Sequence, residues 1–339
     1  MVQKVLITGA AGFIGYHLAE RMLADGWQVI GFDGMTPYYD PRLKEARLAR
    51  LRDKPNFRFV QGMIEEEGRL TAVCADEKPE VIIHLAAQAG VRYSIEAPRS
   101  YVSSNLIGSH EVLEAARAHP PKHLMMASTS SAYGANTEMP YAETHKATHP
   151  MSFYAATKIA NEAMAHSYAH LFGLPTTMFR FFTVYGPWGR PDMALFKFTK
   201  AILNGDPIDV YNHGDMQRDF TYVGDLVEGI VRLVGSAPGS KAAGPMDSLS
   251  PVAPFRVVNI GNGQPVKLDD FIAAIEAATG RSARRNLLPM QPGDVPATWA
   301  DARLIEALVG KLPRTDITEG VARFVDWYRG WNDPAGRGQ

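Results

Sequence analysis

The chain has 339 residues, of which 46% are hydrophobic and 21% are charged, and its formal net charge at pH 7 is -1. This composition is typical of a globular protein with one large or two modest domains and a sizeable core. Lysine and arginine are scattered along the chain, so the charge pattern favours neither nucleic acid nor an anionic membrane surface as a partner. The single cysteine, Cys74, excludes an intramolecular disulfide and a thiolate metal site.

The sequence also lacks the pattern of a membrane protein. No apolar run approaches the roughly 20 residues that a membrane span needs, and the N-terminus shows no basic segment followed by a long apolar one. We therefore expect a soluble, cytoplasmic protein.

Six short apolar segments in the first half of the chain predict strands that are buried on both faces. They span residues 4–9, 28–33, 57–62, 80–87, 122–129 and 176–184. Helical patterns at 14–26 and 104–119 lie between them. This alternation predicts an α/β fold of Rossmann type with a doubly wound parallel sheet.

A glycine-rich turn, GAAGFIG at 9–15, follows the first strand and opens the first helix. Glycine lets the backbone approach a pyrophosphate, whose charge then lies at the helix N-terminus. Asp33 ends the next strand, where a carboxylate accepts hydrogen bonds from the adenosine ribose and repels a 2′-phosphate. The pattern predicts NAD rather than NADP; the alternative is a glycine turn beside an unrelated capping Asp. The expected cofactor contacts are Gly9, Gly12, Phe13, Ile14, Gly15, Asp33, Leu85, Ala86 and Ala87.

After about residue 185 the alternation loosens. Residues 197–205 and 268–280 have helical patterns, and 208–234 resembles a strand, a loop and a helix. The Gly/Pro/Ser-rich stretch 236–254 predicts an exposed loop. We expect an NAD-binding domain over 1–185 and a smaller C-terminal α/β substrate-binding part over 186–335, from which a segment at about 213–235 crosses back.

Tyr154 and Lys158 are spaced four residues apart in SFYAATKIANE, so both project from one helix face. A nearby ammonium and a positively charged oxidised nicotinamide lower the pKa of a phenol, which makes the phenolate usable as a base. Lys158 can also bind the nicotinamide ribose. His84 is interpreted as a strand-end histidine whose hydrogen bonds are satisfied, not as a catalyst.

These motifs together resemble the extended short-chain dehydrogenases/reductases, also called the NAD-dependent epimerase/dehydratase family, over residues 2 to about 330. More narrowly, four stretches resemble the UDP-glucuronate 4-epimerases. They are YYDPRLKEARL (38–48), HLAAQAGVRYS (84–94), RFFTVYGPWGRPDMALFKFTKAI (180–202) and QRDFTY (217–222).

The resemblance implies reversible, NAD-dependent C4 epimerisation of UDP-glucuronate to UDP-galacturonate. Tyr154 would remove the C4 hydroxyl proton while the hydride passes to NAD+, and Thr129 would hydrogen-bond the same oxygen. The 4-keto intermediate would rotate in the pocket and receive the hydride on its other face, so NAD is recycled. The family's dimers also imply a homodimer through helices 103–118 and 152–172.

The 4-keto intermediate is a β-keto acid, which can lose its C6 carboxylate as carbon dioxide. Donors that hold the carboxylate in an unreactive orientation and stabilise its charge oppose that loss. Ser130, Ser131 and Thr183 can supply neutral donors, and Arg190 can supply a charged one. The related decarboxylases and 4,6-dehydratases carry an acidic residue near the position of Ser131, so a serine there favours retention of C6. The alternative is that Ser130 and Ser131 only satisfy backbone groups at a strand end.

The resemblance also assigns residues to the nucleotide. Arg218 would bind the diphosphate, Val210 lies in the strand that reads uracil through its backbone, and Asp294 would bind the uridine ribose. A salt bridge from Arg218 to Asp219 or Asp215 is the alternative. For Arg92 the sequence leaves two roles open, a contact to the substrate or the anchoring of a loop.

Three positions depart from the wider family. Met63 stands where an Asp usually touches adenine, which puts the adenine contacts in doubt. Thr183 and Gln291 stand where UDP-galactose epimerases carry Asn and Arg, which suits a substrate with a C6 carboxylate. The rival functions are UDP-glucuronate decarboxylation to UDP-xylose, UDP-galactose 4-epimerisation and, more distantly, a non-catalytic NAD-binding scaffold.

Overall fold

The computed structural model describes residues 2–291 and 294–332. Pro292, Gly293 and residues 333–335 of the expected second domain lie outside these ranges. The strands in chain order are β1 (Lys4–Thr8), β2 (Gln28–Asp33), β3 (Phe57–Gln61), β4 (Val81–His84), β5 (His123–Thr129), β6 (Thr176–Phe181), β7 (Thr183–Tyr185), β8 (Pro207–Tyr211), β9 (Gln217–Tyr222), β10 (Phe255–Ile260), β11 (Pro265–Lys267), β12 (Arg284–Leu288) and β13 (Ala297–Thr298).

The α-helices in chain order are α1 (Phe13–Ala24), α2 (Pro41–Arg52), α3 (Arg69–Glu77), α4 (Tyr93–Glu96), α5 (Pro98–Tyr101), α6 (Gly108–Ala118), α7 (Phe153–Phe172), α8 (Ala194–Asn204), α9 (Val223–Leu233), α10 (Leu268–Thr279), α11 (Arg303–Val309) and α12 (Ile317–Asn332). A π-helical segment, Val102–Ile107, precedes α6, and 3₁₀ turns span Ser130–Tyr133 and Asn212–Gly214.

A seven-stranded sheet with the order β10-β6-β5-β4-β1-β2-β3 forms the centre of the molecule. Each neighbouring pair in it is parallel. Side chains alternate between its faces: Val5 and Ile7 belong to one core cluster with residues of α1 and α9, and Leu6 belongs to the other with residues of α3 and α6. The predicted α/β fold of Rossmann type with a doubly wound parallel sheet is confirmed.

Three expectations about the strands and loops were wrong. The strand predicted at 176–184 divides near Phe182, because β6 stays in the central sheet while β7 pairs with β9. The segment predicted as a loop before α9 contains β9 itself. The central sheet is completed by β10, which the sequence did not mark as a strand and which lies beside β6.

Residues 236–254 form neither helix nor strand, but they are not an exposed loop throughout. Asp247 has a fully buried side chain, and its Oδ1 accepts a hydrogen bond from Nε of Arg256 at 2.7 Å. The stretch therefore contributes a buried ion pair beside the edge strand β10.

A smaller C-terminal layer packs around a third core cluster that includes Phe220, Phe271 and Phe324. It contains α8, α10 and α12, the pair β8 and β12, and the strands β7, β9, β11 and β13. Helix α9 returns to the central sheet and packs against α1. Within residues 2–291 and 294–332, no helix combines the length and the apolar character that a membrane span requires.

Candidate active site

A cavity of about 280 Å³ opens where β1, β2, β4, β5 and β6 end, at the carboxyl edge of the central sheet. This is the edge at which doubly wound sheets bind ligands. The residues that the sequence assigned to the cofactor, to catalysis or to the substrate and that line this cavity are Gly9, Gly12, Phe13, Ile14, Gly15, Asp33, Leu85, Ala86, Ala87, Thr129, Tyr154, Lys158 and Arg190.

The glycine turn leaves no space for side chains. Gly9 has a φ of +73°, and a Cβ on it would stand 2.8 Å from the backbone nitrogen of Ala86. A Cβ on Gly15 would overlap the carbonyl oxygen of Gly9. The turn therefore packs against the segment after β4 and opens α1 with bare backbone, which fits a bound pyrophosphate.

Asp33 lies at the end of β2 and is only 6% exposed. Its Oδ2 accepts a hydrogen bond from the backbone nitrogen of Ala11 at 3.0 Å, and its Oδ1 accepts one from Met35 at 2.8 Å. The ammonium of Lys44 is 4.0 Å from Oδ1. Each carboxylate oxygen keeps a lone pair for a ribose hydroxyl. The donor and acceptor set fits adenosine ribose, and Lys44 is a cavity residue that the sequence reasoning missed.

His84 lies behind the cavity rather than in its lining. Its ring nitrogens contact the hydroxyls of Thr8 at 2.8 Å and Ser109 at 3.4 Å, and burial lowers its pKa to about 3. The histidine is therefore neutral and has a structural role, as expected. The same Thr8 hydroxyl accepts hydrogen bonds from the backbone of Leu85 and Ala86.

Tyr154 and Lys158 project from α7 toward the end of β5. The ammonium of Lys158 donates to the carbonyl oxygen of Ala127 at 2.8 Å, and burial lowers the pKa of Lys158 to about 8. Burial raises the pKa of Tyr154, whereas Thr129 and Arg190 lower it. In the protein alone the ammonium of Lys158 is turned to the backbone of β5, so its effect on the pKa of Tyr154 beside a bound nicotinamide stays a prediction.

Arg190 reaches the same cavity from the loop after β7. Its Nε is 3.0 Å from Oδ1 of Asp192, and its guanidinium lies 6.0 Å from the ring centre of Tyr38. The Tyr38 hydroxyl donates to Asp192 at 3.2 Å. Tyr38 and Asp192 are therefore further residues of the site that the sequence reasoning did not single out.

The three hydroxyl residues assigned to the substrate carboxylate do not line the main cavity. Ser130 and Ser131 lie in the 3₁₀ turn after β5, where the Thr129 hydroxyl accepts a hydrogen bond from the backbone of Ser131. Thr183 lines a smaller cavity of about 30 Å³, which shares Arg190 and Phe13 with the main one.

The residues assigned to the nucleotide lie outside the lining of the main cavity. Arg92 is 3.6 Å from the carboxylate of Asp294 and stacks over Tyr211 at 4.8 Å. Arg218 donates to the carbonyl oxygens of Gln217 and Pro296. Burial lowers the pKa of Arg218, and the nearby charge of Asp294 opposes that effect.

In the chain as described, Arg218 forms no salt bridge with Asp219 or Asp215. Asp219 instead accepts hydrogen bonds from the backbone of Asn262, Gly263 and Ala300. The side chain of Val210 is fully buried, so only its backbone is available to a ligand.

The comparison with known proteins agrees with this geometry. The NAD dependent epimerase/dehydratase family matches residues 5–243. A probable UDP-glucuronate 4-epimerase of Rhizobium meliloti (strain 1021) is 59% identical over 96% of this chain and 96% of that protein. Protein CapI of Staphylococcus aureus is 53% identical over 96% of this chain and 98% of that protein. The crystal structure of UDP-glucuronic acid 4-epimerase from Bacillus cereus in complex with UDP-glucuronic acid and NAD has a TM-score of 0.87, 31% identity, and coverage of 97% of this chain and all of that one.

Proposed function

Since this chain belongs to the NAD dependent epimerase/dehydratase family, we propose that it interconverts UDP-glucuronate and UDP-galacturonate by NAD-dependent epimerisation at C4. The observation that carries the proposal is the convergence of Thr129, Tyr154, Lys158 and Arg190 on one cavity with the glycine turn. The relative at 59% identity and the solved UDP-glucuronic acid complex support the choice of substrate.

The cofactor is NAD, and the cavity residues fit it. Gly9, Gly12 and Gly15 would accommodate the pyrophosphate, and Asp33 would bind the adenosine ribose. Met63 also lines the cavity and offers adenine a thioether in place of a carboxylate. When bound, NAD+ supplies reversible hydride transfer at C4, and because it is regenerated the reaction consumes no external reductant.

Tyr154 removes and returns the proton of the C4 hydroxyl. Burial keeps its hydroxyl protonated in the protein alone, whereas Thr129 and Arg190 lower its pKa. The positive charge that oxidised nicotinamide would bring lowers it further, and the phenolate formed then is the base that accepts the C4 proton. Thr129 hydrogen-bonds the C4 oxygen, and Lys158 binds the nicotinamide ribose while it holds the backbone of β5. These residues transfer the proton as the sugar passes through a 4-keto intermediate.

The C6 carboxylate is retained because donors fix it out of alignment with the carbonyl at C4. Arg190 supplies a charged donor from a position that Asp192 fixes. Ser130, Ser131 and Thr183 supply neutral donors once the sugar extends toward the smaller cavity, to which Thr183 already belongs. The serine at 131 places no negative charge against the carboxylate of the substrate.

The UDP moiety extends toward the C-terminal layer. We assign NAD binding to residues 1–185 and UDP-sugar binding mostly to 186–335, with 213–235 returning to the first domain. Arg218 binds the diphosphate, since it is basic, largely buried and held by backbone carbonyls rather than by a carboxylate. Asp294 binds the uridine ribose, and the backbone at Val210 binds uracil.

The active form is a cytoplasmic homodimer. Large apolar side chains are exposed on the two segments expected to pair: Ile107 before α6, and Phe153, Leu171 and Phe172 on α7. Covering them requires a partner surface of the same character, which a second copy of the chain supplies. Light scattering coupled to size-exclusion chromatography tests this assembly, and a monomer at micromolar concentration contradicts it.

Proton NMR of the sugar anomeric region, after incubation of the purified protein with NAD+ and UDP-glucuronate, tests the function. The expected product is UDP-galacturonate, with neither a UDP-pentose nor carbon dioxide. A UDP-pentose would assign the chain to the decarboxylases, and turnover of UDP-galactose instead of the uronate would assign it to the neutral-sugar epimerases. NAD binding without turnover of either sugar would favour the scaffold.

A further inference from the structure

Three successive residues of β5 contact three successive turns of α7. Tyr154, Lys158 and Glu162 are spaced four residues apart and lie on one face of the helix. Thr129 forms a side-chain hydrogen bond that lowers the pKa of Tyr154, and the carbonyl oxygen of Ala127 accepts a hydrogen bond from Lys158. Between them, the hydroxyl of Ser128 donates to Oε1 of Glu162 at 2.5 Å. Glu162 therefore belongs to the same strand–helix contact as the residues assigned to catalysis.

Glu162 is held on its other side by a second strand. Arg180 of β6, which lies opposite Ser128 in the sheet register, donates from Nε to Oε1 at 3.0 Å and from Nη2 to Oε2 at 2.7 Å. The side chains of Arg180 and Glu162 are only 5% and 12% exposed. A forked contact of this kind fixes the carboxylate in one position.

The groups around Lys158 show why the carboxylate of Glu162 matters for the charge of its ammonium. The charged or titratable groups near Lys158 or its partners are Tyr154 and Glu162 on α7, His84 on β4, Arg180 on β6, Tyr101 on α5 and Arg190 in the loop after β7. Within the part of the chain that the structure describes, Glu162 is the carboxylate that acts on the pKa of Lys158. Its charge opposes the lowering of the Lys158 pKa by burial, and the carbonyl oxygen of Ala127 accepts a hydrogen bond from the same ammonium.

We propose that Glu162, fixed between Ser128 and Arg180, is a positioning residue that keeps the ammonium of Lys158 charged and turned to the strand end. The proposal rests on the proposed function for the role of Lys158, but the electrostatic effect itself is a property of the protein alone. Glu162 does not line the cavity. It acts through Lys158 and through the alignment of α7 on β5.

A second buried ion pair at the edge of the same sheet provides a matched control. Arg256 of β10 binds Asp247 through Nε at 2.7 Å and Nη2 at 2.9 Å, with side chains 4% and 0% exposed. Neither residue lines the cavity. Asp247→Asn and Glu162→Gln each remove one negative charge from a buried arginine pair, so both variants are expected to lose stability.

The test is the titration of Lys158 in protein labelled with ¹³C at the lysine ε-carbon, followed by NMR between pH 6 and 11. The signal of Lys158 is assigned by its loss in Lys158→Met. We expect Glu162→Gln to lower the pKa of Lys158 by about one unit, because the ammonium loses its carboxylate. Asp247→Asn leaves that titration unchanged. An unchanged titration in Glu162→Gln overturns the proposal and leaves the pair a structural one.

The pH profile of turnover gives the second readout. Lys158 acts as the ammonium, so activity is lost as pH rises through its pKa. We expect Glu162→Gln to shift this loss of activity to lower pH and to reduce kcat by roughly tenfold. If Glu162→Gln lowers turnover at every pH but leaves the pH at which activity is lost unchanged, the proposal is also overturned. If the wild-type protein does not turn over UDP-glucuronate, the proposed function fails, but the NMR titration still decides the role of Glu162.

A charge-free replacement covers the case in which Glu162→Gln does not fold. The double variant Glu162→Leu with Arg180→Met replaces the buried pair by apolar side chains, a change that is often neutral for stability. We expect it to fold and to lower the pKa of Lys158, by less than the single variant because the positive charge of Arg180 is removed as well. A folded double variant with the wild-type titration contradicts the proposal.

Discussion

Asp192 binds the guanidinium of Arg190 on the wall of the cavity, with Nε of Arg190 3.0 Å from Oδ1 and Nη2 in contact with Oδ2. The hydroxyl of Tyr38 donates to the same carboxylate at 3.2 Å. Arg190 is therefore oriented by the protein before any ligand binds. A pre-oriented donor loses little side-chain entropy on binding, so the remaining N–H groups of Arg190 suit a carboxylate that must be held in one orientation.

Replacement of Arg190 is expected to weaken binding of the C6 carboxylate of the substrate. In Arg190→Gln the charged donor is lost, so we expect KM for UDP-glucuronate to rise by about tenfold, the cost of a hydrogen bond to a charged group. Part of the 4-keto intermediate should then lose carbon dioxide, which yields a UDP-pentose detectable by NMR. Arg314→Gln, which removes an exposed ion pair with Glu306, is the control. Wild-type KM and product in Arg190→Gln would refute the role of this residue.

Removal of the Tyr154 hydroxyl is expected to abolish proton transfer without loss of structure. Tyr154→Phe should lower kcat by about 10²–10⁴-fold, the range for loss of a general acid–base group. Thermal stability and NAD affinity should remain close to those of the wild type, because the aromatic ring still packs against Tyr101. Tyr168→Phe removes a hydroxyl from the same helix, where it donates to Glu114, and should leave kcat unchanged. A Tyr154→Phe enzyme with near-normal kcat would require another base.

Asp33 is expected to set the choice between NAD and NADP. Its charge repels a 2′-phosphate, and Lys44 at 4.0 Å would attract one once that charge is gone. Calorimetric titration should therefore show that the wild type prefers NAD and that Asp33→Asn reduces this preference by at least about tenfold. Asp53→Asn, at the end of α2, is the control. An unchanged preference in Asp33→Asn would mean that other groups select the cofactor.

Glu143 is expected to make stability depend on pH. It is buried, accepts a hydrogen bond from the backbone of Asn259 at 2.8 Å, and burial raises its pKa to about 7. A folded-state pKa above the unfolded one favours the protonated form, so its contribution is complete below about pH 4.5 and is lost as pH rises through 7.

Thermal unfolding of wild type and Glu143→Gln at pH 5.5, 7 and 8.5 measures this dependence. The Tm of the wild type should fall relative to that of the variant as pH rises, because the glutamine cannot ionise. Glu319→Gln, on the surface of α12, should follow the wild type throughout. Curves for wild type and Glu143→Gln that stay parallel would show that Glu143 does not titrate in this range.

The sequence predicted the parts of the fold that depend on local pattern. The glycine turn at 9–15, the strand that ends at Asp33 and the helix that carries Tyr154 all have short-range signals, and the structure has each of them. Strand β10 had no such signal. Its place beside β6 depends on pairing between residues about eighty positions apart, and the Gly/Pro-rich segment before it hid the return of the chain.

The same limit applies to the site. Motifs indicated Tyr154, Lys158 and Arg190, but not the residues that orient them. Asp192 orients Arg190, and Glu162 binds Ser128 and Arg180 through contacts that only the tertiary fold creates. Helical spacing also did not show that the ammonium of Lys158 binds the carbonyl oxygen of Ala127.

The most direct test of the account is the fate of the hydrogen at C4 during epimerisation. Incubation of UDP-glucuronate deuterated at C4 with the enzyme and NAD+ in ordinary water, followed by NMR and mass spectrometry, measures it. We expect UDP-galacturonate that retains the deuterium at C4 and all six sugar carbons, because the hydride that NAD+ would accept returns to the same carbon. Loss of the deuterium to water, or a five-carbon product, would contradict it.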